Sequence, residues 1–271
     1  MNQSITNRSN TNTHYHPEVS QQLRELRLSG VLDSLDVRIR QSIEDKLSHL
    51  EFLQMLLGDE LARRDQTRSA ILLKRAALIS SKTIEQFDFT ANPTLNRSLI
   101  SDLLTCRFMG EHSPILICGP TGTGKSHLAQ AIGHQAIRQG KDVLFVTQKS
   151  LLSSLHKARI MGVYDKRFAK FAKTSLLIID DYGLYPMGAP QDEDFHELIA
   201  YRYEQKSTII TSNLEFTEWD QAFVKNKLLA TATLDRLLHN AYRLTLQGKS
   251  YRKPKYFKKI DLARGGKLSE Y

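Results

Sequence analysis

The octet Gly119-Pro120-Thr121-Gly122-Thr123-Gly124-Lys125-Ser126 follows the apolar run 114–118 and precedes a helical pattern that ends at Gly140. A strand, a glycine-rich turn and a helix in this order bind phosphate, because backbone N–H groups and the positive helix terminus converge on the anion. In such a loop the lysine contacts the β- and γ-phosphates, and the hydroxyl after it holds Mg²⁺. The octet therefore predicts a nucleoside triphosphate site, with Lys125 on the phosphates and Ser126 as a metal ligand. The alternative is a glycine-rich turn that binds nothing.

Outside the octet, short apolar runs alternate with helical patterns. This alternation predicts an α/β fold in which crossover helices flank a central parallel sheet. The five predicted strands are 115–118, 143–147, 176–179 and 208–211, with 243–246 as a possible edge strand. The predicted helices are 96–108, 127–139, 150–161, 163–173 and 194–204. Two consecutive helices thus separate the second strand from the third.

Two carboxylates end the third predicted strand, since Asp180 and Asp181 follow the apolar residues 176–179. Carboxylates at the end of a buried strand are costly unless they meet a cation or water. A phosphate-binding loop also needs a second grip on Mg²⁺. We therefore expect Asp180 to bind the metal, directly or through water, and Asp181 to polarise the attacking water. The alternative is a surface turn that contains two acids.

Two further polar residues are candidates for the hydrolysis step. Asn213 follows the fourth predicted strand, where it would place a water or a γ-phosphate oxygen between the two motifs. Arg236 follows a helical stretch and is a candidate arginine finger for the γ-phosphate of a neighbouring subunit. Such a charge raises the rate by about 10³–10⁵. The alternative for Arg236 is a local salt bridge with Asp235 or Glu218.

Residues 17–80 are helical by pattern and predict a separate small domain that binds DNA or a partner protein. Ser48 and Glu51 form a capping box, and Leu47 and Phe52 are placed as a hydrophobic staple. The apolar residues that follow at helical spacing are Leu50, Leu53, Leu57 and Leu61.

Basic residues outnumber acidic ones, 38 Lys and Arg against 29 Asp and Glu, which gives the chain a net charge of +9. This excess favours a polyanionic partner besides the nucleotide. The predicted DNA-binding residues lie in the N-terminal helices, on one face of the helix at 163–173, and in the C-terminal tail. They are Arg63, Arg64, Lys166, Arg167, Lys170, Lys173, Lys253 and Lys255. The alternative for each cluster is an ordinary solvated surface.

Composition divides the chain into four predicted parts: a disordered lead-in at 1–16, the helical domain at 17–80, the ATPase domain at 81–248 and a basic tail at 249–271. No run approaches the roughly 20 apolar residues of a membrane span, and the polar N-terminus lacks a secretory core. Cys106 and Cys118 have no CxxC spacing and fit a reducing compartment. We therefore expect a cytoplasmic protein without a membrane partner or a zinc site.

These features together resemble the IstB-like helper ATPases encoded beside an IstA-type transposase in bacterial insertion sequences, relatives of the DnaC helicase loaders and DnaA initiators within the AAA+ superfamily. The likeness covers almost the whole chain, in segments 23–30, 50–53, 83–88, 119–128, 177–183, 201–204, 211–213, 234–239 and 250–252. The octet alone is unspecific, whereas the N-terminal helical pattern joined to 250–252 is specific. The two consecutive helices within 150–173 look like the extra helix of initiator-type members.

The resemblance implies an AAA+ P-loop fold in which ATP and Mg²⁺ bind between neighbouring subunits. It implies assembly into a ring or helical homo-oligomer on double-stranded DNA with little sequence specificity. The assembled helper would deform target DNA, recruit the IstA-type transposase and stimulate insertion, and DNA-stimulated hydrolysis would control its disassembly. On this interpretation Asp181, Asn213 and Arg236 act in hydrolysis. Glutamate is usual where this sequence has Asp181, so we expect slow turnover. Phe87 and Phe89 either flank the adenine or belong to the core.

Three other functions share parts of this pattern. A DnaC-like replicative helicase loader has the same fold and ATP chemistry but acts on a helicase and single-stranded DNA; the match at 23–53 favours the transposition helpers. A small-molecule kinase needs an arginine-rich lid and an acceptor pocket, and the sequence indicates neither. An architectural DNA-binding protein would use ATP only as an assembly switch, so Asp181→Asn would leave transposition intact.

Overall fold

A computed structural model describes residues 17–93 and 95–248 of this chain. The predicted lead-in at 1–16 and the predicted basic tail, with Lys253 and Lys255, lie outside the described residues. Within the described ranges, no helix has both the length and the apolar composition that a membrane crossing requires.

Five parallel strands form the central sheet, as the apolar runs predict. They are β1 (Ile115–Cys118), β2 (Val143–Thr147), β3 (Leu176–Tyr182), β4 (Ser207–Ser212) and β5 (Tyr242–Thr245). Their order across the sheet is β2-β3-β4-β1-β5, and every neighbouring pair is parallel. The predicted edge strand is thus confirmed as β5. The α/β prediction with a five-stranded parallel sheet is confirmed.

Helices cover both faces of this sheet. They are α4 (Arg97–Leu104), α5 (Lys125–Arg138), α6 (Gln148–Ile160), α7 (Tyr164–Lys173), α8 (Gln191–Arg202) and α9 (Lys227–Leu238). Alternate strand residues enter different cores: Ile115 and Ile117 pack with α4 and α5, whereas Leu116 packs with α6 and α8. Burial on both faces explains why the strands read as continuous apolar runs and not as alternating ones.

Several predicted boundaries shift in the structure. The helix predicted at 96–108 ends at Leu104, because Cys106 adopts a left-handed backbone conformation, with φ of 58°, and a short 3-10 helix (Arg107–Met109) follows. The third strand continues to Tyr182 past the predicted end at 179, through a register shift against β4. The helix predicted at 194–204 begins earlier, at Gln191.

Three helices precede this part of the chain: α1 (Pro17–Glu25), α2 (Ser29–Glu44) and α3 (His49–Ala76). The predicted capping box begins α3, since the Ser48 hydroxyl accepts from the Glu51 N–H and the Glu51 carboxylate accepts from the Ser48 N–H at 2.8 Å. The Ser48 N–H and the Ser48 hydroxyl both donate to the Glu51 carboxylate, and these two bonds lower the pKa of Glu51. At its other end α3 joins the core of the sheet through Leu72 and Ala76. The division at residue 80 stays a prediction.

The leucines that predict α3 do not form its buried face. Leu50, Leu53, Leu57 and Leu61 are 50–74% exposed. The α2 helix covers a different face of α3, where Leu56 packs against Val31 and Leu35. Apolar spacing therefore identifies the helix but leaves open which side its neighbour covers.

A buried carboxylate joins α2 to α3. Glu60, which is 4% exposed, accepts from the backbone N–H of Gly30 at 2.7 Å, and Arg64 binds the same carboxylate at 2.6 Å. Although burial opposes ionisation, these donors together hold the pKa of Glu60 below its usual value. An acidic group at the start of α2 also compensates its positive helix terminus.

Alanine at Gly30 is expected to disturb the packing of α2 on α3. A Cβ at Gly30 would lie 2.7 Å from the Asp59 carbonyl oxygen and from the Glu60 Cα, whereas a Cβ at Gly58 on the same helix pair has no neighbour within 4 Å. Gly30→Ala is therefore expected to destabilise the chain by about 1–3 kcal/mol, since the two backbones must separate. Gly58→Ala is expected to stabilise it by up to about 1 kcal/mol, because alanine favours a helix.

Urea unfolding followed by helical circular dichroism compares these two variants. Equal midpoints for Gly30→Ala and Gly58→Ala would contradict the close packing of α2 on α3.

Candidate active site

The glycine-rich octet lies at the carboxyl edge of the sheet, between the end of β1 and the start of α5. Gly119 has φ of 139°, and a Cβ there would lie 2.1 Å from the Leu246 carbonyl oxygen, so no larger residue fits. Gly124 has φ of 99° directly before α5, where the turn enters the helix. These conformations let the loop turn directly into the N-terminus of α5, where a phosphate would bind.

Lys125 is held at the centre of the loop. Its side chain is buried, and its Nζ donates to the Gly119 carbonyl at 2.7 Å, the Pro120 carbonyl at 2.8 Å and the Asn213 Oδ1 at 2.7 Å. An ammonium has three N–H donors. A phosphate oxygen must therefore exchange with one of these acceptors, and the Asn213 side chain is the acceptor that can rotate away. The structure thus brings together Lys125 and Asn213, which lie far apart in sequence.

Ser126 and Asp180 meet at the position predicted for the metal. The Ser126 hydroxyl donates to the Asp180 Oδ1 at 2.7 Å, and the Thr211 hydroxyl at the end of β4 donates to the same oxygen. Mg²⁺ binds through hydroxyl, carboxylate and water oxygens, so this donor set fits the ion. Asp180 is 6% exposed, which makes a neutralising cation favourable beside it. Thr211 is a residue of the site that the sequence reading leaves without a role.

Asp181 sits in a local irregularity of β3. Its φ of 58° is left-handed, and the register against β4 shifts between Ile179 and Tyr182. The Asp181 N–H donates to the Thr211 hydroxyl at 3.3 Å, which links this turn to the partner of Asp180. Left-handed backbone is costly for most residues but tolerated by Asp and Asn. The bulge gives the two successive carboxylates different directions and different surroundings.

A cavity of about 280 Å³ opens above the loop, the carboxyl-edge cavity. Lys125, Ser126, Asp181 and Asn213 line it, together with residues from the segment before α4. Those further lining residues are Lys82, Gln86, Phe87 and Asp88. Lys82, Gln86 and Asp88 have no predicted role, because no spacing or composition pattern in that segment indicates a ligand.

Of the two aromatic residues predicted near the adenine, Phe87 lines this cavity. Its ring packs edge-on against Phe89 at 4.9 Å and against His127 at 5.4 Å, and it is largely buried. Phe89 packs behind Phe87 and has the Arg97 guanidinium 5.4 Å from its ring centre. An adenine role for either residue stays a prediction.

Gln148 connects the predicted catalytic turn to α6. This buried side chain accepts from the Gly183 N–H at 2.7 Å and donates to the Tyr185 carbonyl at 3.3 Å. Gly183 follows Asp181 by two residues, so the first residue of α6 fixes the backbone directly after the two carboxylates. Gln148 could not be predicted from the sequence, since a single glutamine at a strand end carries no motif.

Arg236 lies on α9 and lines a different cavity, of about 130 Å³, at the amino edge of the sheet. Its neighbours there include Pro114 before β1, Thr208 at the start of β4 and Asn240 before β5. Parallel strands of 4–6 residues separate the two edges by about 13–20 Å. The structure therefore does not bring Arg236 to the loop of its own subunit.

The local contacts of Arg236 differ from the salt-bridge alternative. Its Nη1 donates to the Ala232 carbonyl at 2.7 Å, and the ion pairs among the described residues include none with Asp235 or Glu218. Together with burial, its charge lowers the pKa of His196.

Among the described residues, the basic residues predicted to bind DNA form one group on α3 that has ion pairs and one group on α7 that has none. Arg63 pairs with Asp33 at 2.5 Å, and because both side chains are about half exposed this pair is weak. Arg64, also more than half exposed, pairs with the buried carboxylate of Glu60. On α7, Lys166, Arg167, Lys170 and Lys173 are exposed. Two of these, Lys170 and Lys173, line an open groove of about 650 Å³ together with Lys74 and Arg75 at the end of α3.

Residues 21–258 match the family described as IstB-like ATP binding protein. An ATP-binding protein in an insertion sequence of Mycobacterium tuberculosis is 38% identical over 237 residues, 87% of this chain and 94% of the relative. The ATP-binding protein of insertion sequence IS21 from Pseudomonas aeruginosa is 35% identical over 230 residues, 85% and 86% of the two chains.

Solved structures share the fold. Domain III of the replication initiation protein DnaA from Thermotoga maritima superposes with a TM-score of 0.53 at 22% identity, over 64% of this chain and 69% of that chain. The DnaC helicase loader superposes with a TM-score of 0.50 at 24% identity, over 56% and 89%. The fold is that of the AAA+ P-loop proteins.

Proposed function

The chain belongs to the IstB-like ATP-binding protein family, and from that premise we propose that it is an ATP-hydrolysing helper of transposition that assembles on double-stranded target DNA. The observation that carries this proposal is the hydrogen-bond network that joins the glycine-rich loop to the ends of β3 and β4. It links Lys125 to Asn213, and Ser126 to Asp180 and Thr211. This network supports a site in which phosphate, metal and water would be bound at or beside the carboxyl-edge cavity.

In the proposed site each residue has one task. The loop N–H groups and Lys125 bind the phosphates, while Ser126 and Asp180 hold Mg²⁺, which neutralises charge on the β- and γ-phosphates when bound. Asp181 accepts a proton from, or orients, the attacking water. Asn213 releases Lys125 and contacts the γ-phosphate. The position of the Asn213 side chain, directly after β4, therefore depends on whether a γ-phosphate is present. The short Asp181 carboxylate supports slow turnover; a fast single-turnover rate would contradict this.

Replacement of Asp181 by asparagine tests its role. Asparagine also accepts the left-handed backbone, so the turn is expected to persist while the carboxylate is lost. We expect ATP affinity to change by less than about threefold and the hydrolysis rate to fall by about 10²–10⁴, the usual contribution of a positioned base. Nucleotide titration and phosphate release measure the two quantities.

Asp102→Asn is the matched control for that variant, since Asp102 is an exposed carboxylate on α4 that lines neither the carboxyl-edge cavity nor the groove between α3 and α7. Hydrolysis at the wild-type rate in Asp181→Asn would remove Asp181 from the chemistry.

DNA binding is proposed for the groove between α3 and α7. Its four basic residues Lys74, Arg75, Lys170 and Lys173 come from two distant segments and face one volume. Lysine and arginine contacts to phosphates are independent of sequence and sensitive to salt. Each subunit would neutralise few phosphates, so stable binding requires that ATP-bridged neighbours add their contacts. These considerations support an oligomer that covers duplex DNA without a fixed recognition sequence, and the transposase would engage this assembly.

Light scattering of the whole protein tests the proposal. We expect large particles only when ATP·Mg²⁺ and a duplex of mixed sequence are both present, and none with Lys125→Ala. Lys141→Ala, which removes an exposed lysine at the opposite sheet edge, is the matched control. A wild-type protein that stays monomeric and prefers single-stranded DNA would overturn the proposal and favour a helicase loader.

A further inference from the structure

The turn between α6 and α7 presents an apolar tip that the fold leaves uncovered. Ile160 is 75% exposed, Met161 is 74% exposed and Val163 is 45% exposed. Gly162 between them has φ of 67°, and a Cβ there would have no neighbour within 4 Å. Three adjacent large apolar side chains at one protruding turn are unusual on a polar surface.

The surroundings of this tip are basic. Helices α6 and α7 carry seven lysines and arginines and a single acid, Asp165. The basic residues are Lys149, Lys157, Arg159, Lys166, Arg167, Lys170 and Lys173. A surface that binds another protein does not need so many basic residues, whereas a surface that binds a polyanion does.

A groove with phosphate-binding chemistry adjoins the tip. Its open volume is about 530 Å³, and Met161 and Val163 of the tip are among its lining residues. The polar residues that line it are Lys149, Ser150, Ser153, Ser154, Lys157 and Arg167, and no carboxylate is among its lining residues. Serine hydroxyls, lysines and arginines are the side chains that contact DNA phosphates. The groove therefore fits a nucleic acid backbone beside the apolar tip.

An ion pair and a hydrogen bond attach the residues on either side of the tip to α8. Arg159, directly before the tip, pairs with the buried carboxylate of Asp194 on α8, and Tyr164 donates to the same carboxylate at 2.8 Å. The Arg159 guanidinium also lies 4.5 Å from the centre of the Tyr164 ring. Both ends of the turn are thus fixed to one point on α8. A turn held in this way can keep its conformation when it presses against a ligand.

We propose that Ile160, Met161 and Val163 form a wedge that enters the minor groove of duplex DNA and unstacks a base step, while the adjoining groove holds the phosphates. Apolar wedges of this kind kink DNA, and pyrimidine–purine steps yield most easily. The inference rests on the proposed function, because it supplies the means by which the helper deforms its target. It also predicts a preference for TpA steps without any contact to base edges.

The test uses the full chain with ATP·Mg²⁺ and a duplex of about 30 base pairs whose TpA steps carry 2-aminopurine, a base that brightens when unstacked. Fluorescence anisotropy of an end label reports binding, and 2-aminopurine emission reports unstacking. We expect the wild type to raise this emission at least about twofold at saturation. The double variant Ile160→Ser/Met161→Ser is expected to bind within about tenfold of the wild-type affinity, since phosphate contacts supply most of it, and to lose the emission change.

Two controls keep the result specific. Ile160→Leu/Met161→Leu preserves an apolar tip and is expected to retain the emission change. Leu228→Ser removes a leucine that is 82% exposed on α9 and is expected to leave both readouts unchanged.

The measurements distinguish failure of the wedge from failure of the proposed DNA function. Saturated binding by the wild type without an emission change would overturn the wedge and leave the proposed DNA function standing, with the tip reassigned to a protein partner. Full emission change in the serine variant would overturn the wedge as well. Absence of duplex binding by the wild type would overturn both proposals.

Discussion

Lys125→Ala is expected to weaken ATP binding by a factor between about 30 and 4,000. The side chain is buried and donates to three acceptors around the loop. Removal of a buried, hydrogen-bonded charge from a binding site costs about 2–5 kcal/mol, and about 1.4 kcal/mol is a factor of ten in affinity. Titration with a fluorescent ATP analogue measures the loss. Unchanged affinity in this variant would exclude the octet as the phosphate site.

Because Lys125 also bonds to its own loop, a second variant separates binding from loop structure. Asn213→Ala removes one acceptor of Lys125 but keeps the ammonium. We expect this variant to bind ATP within about threefold of the wild type, since the charge on the phosphates persists. An equal loss of affinity in both variants would instead indicate that the loop itself depends on the Lys125–Asn213 hydrogen bond.

Much of the fold follows from the sequence because the strands are buried on both faces. Runs such as Ile115–Cys118 and Val143–Thr147 are apolar at nearly every position, and helical spacing lies between them. The register shift at the end of β3 could not be predicted in this way. It depends on Asp181 adopting a left-handed backbone opposite Thr211, which only the neighbouring strand determines.

The residues of the site also differ in whether the sequence can predict them. Lys125, Ser126 and Asp180 are predictable because each motif fixes their chemistry within a few residues. Gln148, Lys82 and Gln86 are not, since they reach the site through the course of the chain and carry no motif of their own. The exposed leucines of α3 show the same limit, because periodicity marks a helix but not the face that its neighbour covers.

The position of Arg236 at the amino edge of the sheet has a consequence for how subunits cooperate. Its guanidinium is separated from the loop of its own chain by the length of the strands, so any contact with γ-phosphate requires a neighbouring subunit. We expect Arg236→Ala to bind ATP normally and to lose about 10³–10⁵ in hydrolysis rate, the effect of an arginine finger. Arg243→Ala, an exposed arginine on the adjacent strand β5, is the matched control.

Mixing experiments distinguish action between subunits from action within one. Lys125→Ala subunits lack a nucleotide but offer an intact Arg236, and Arg236→Ala subunits bind nucleotide but lack the arginine. In an equal mixture, about a quarter of head-to-tail interfaces pair an intact loop with an intact arginine, because neighbours are chosen at random. We therefore expect phosphate release to recover to about a quarter of the wild-type rate, although each variant alone is inactive. Since the chemistry of every residue is unchanged by mixing, recovery arises only if Arg236 acts across an interface. A mixture as inactive as its components would place Arg236 outside the site and leave its contact with the Ala232 carbonyl as its role.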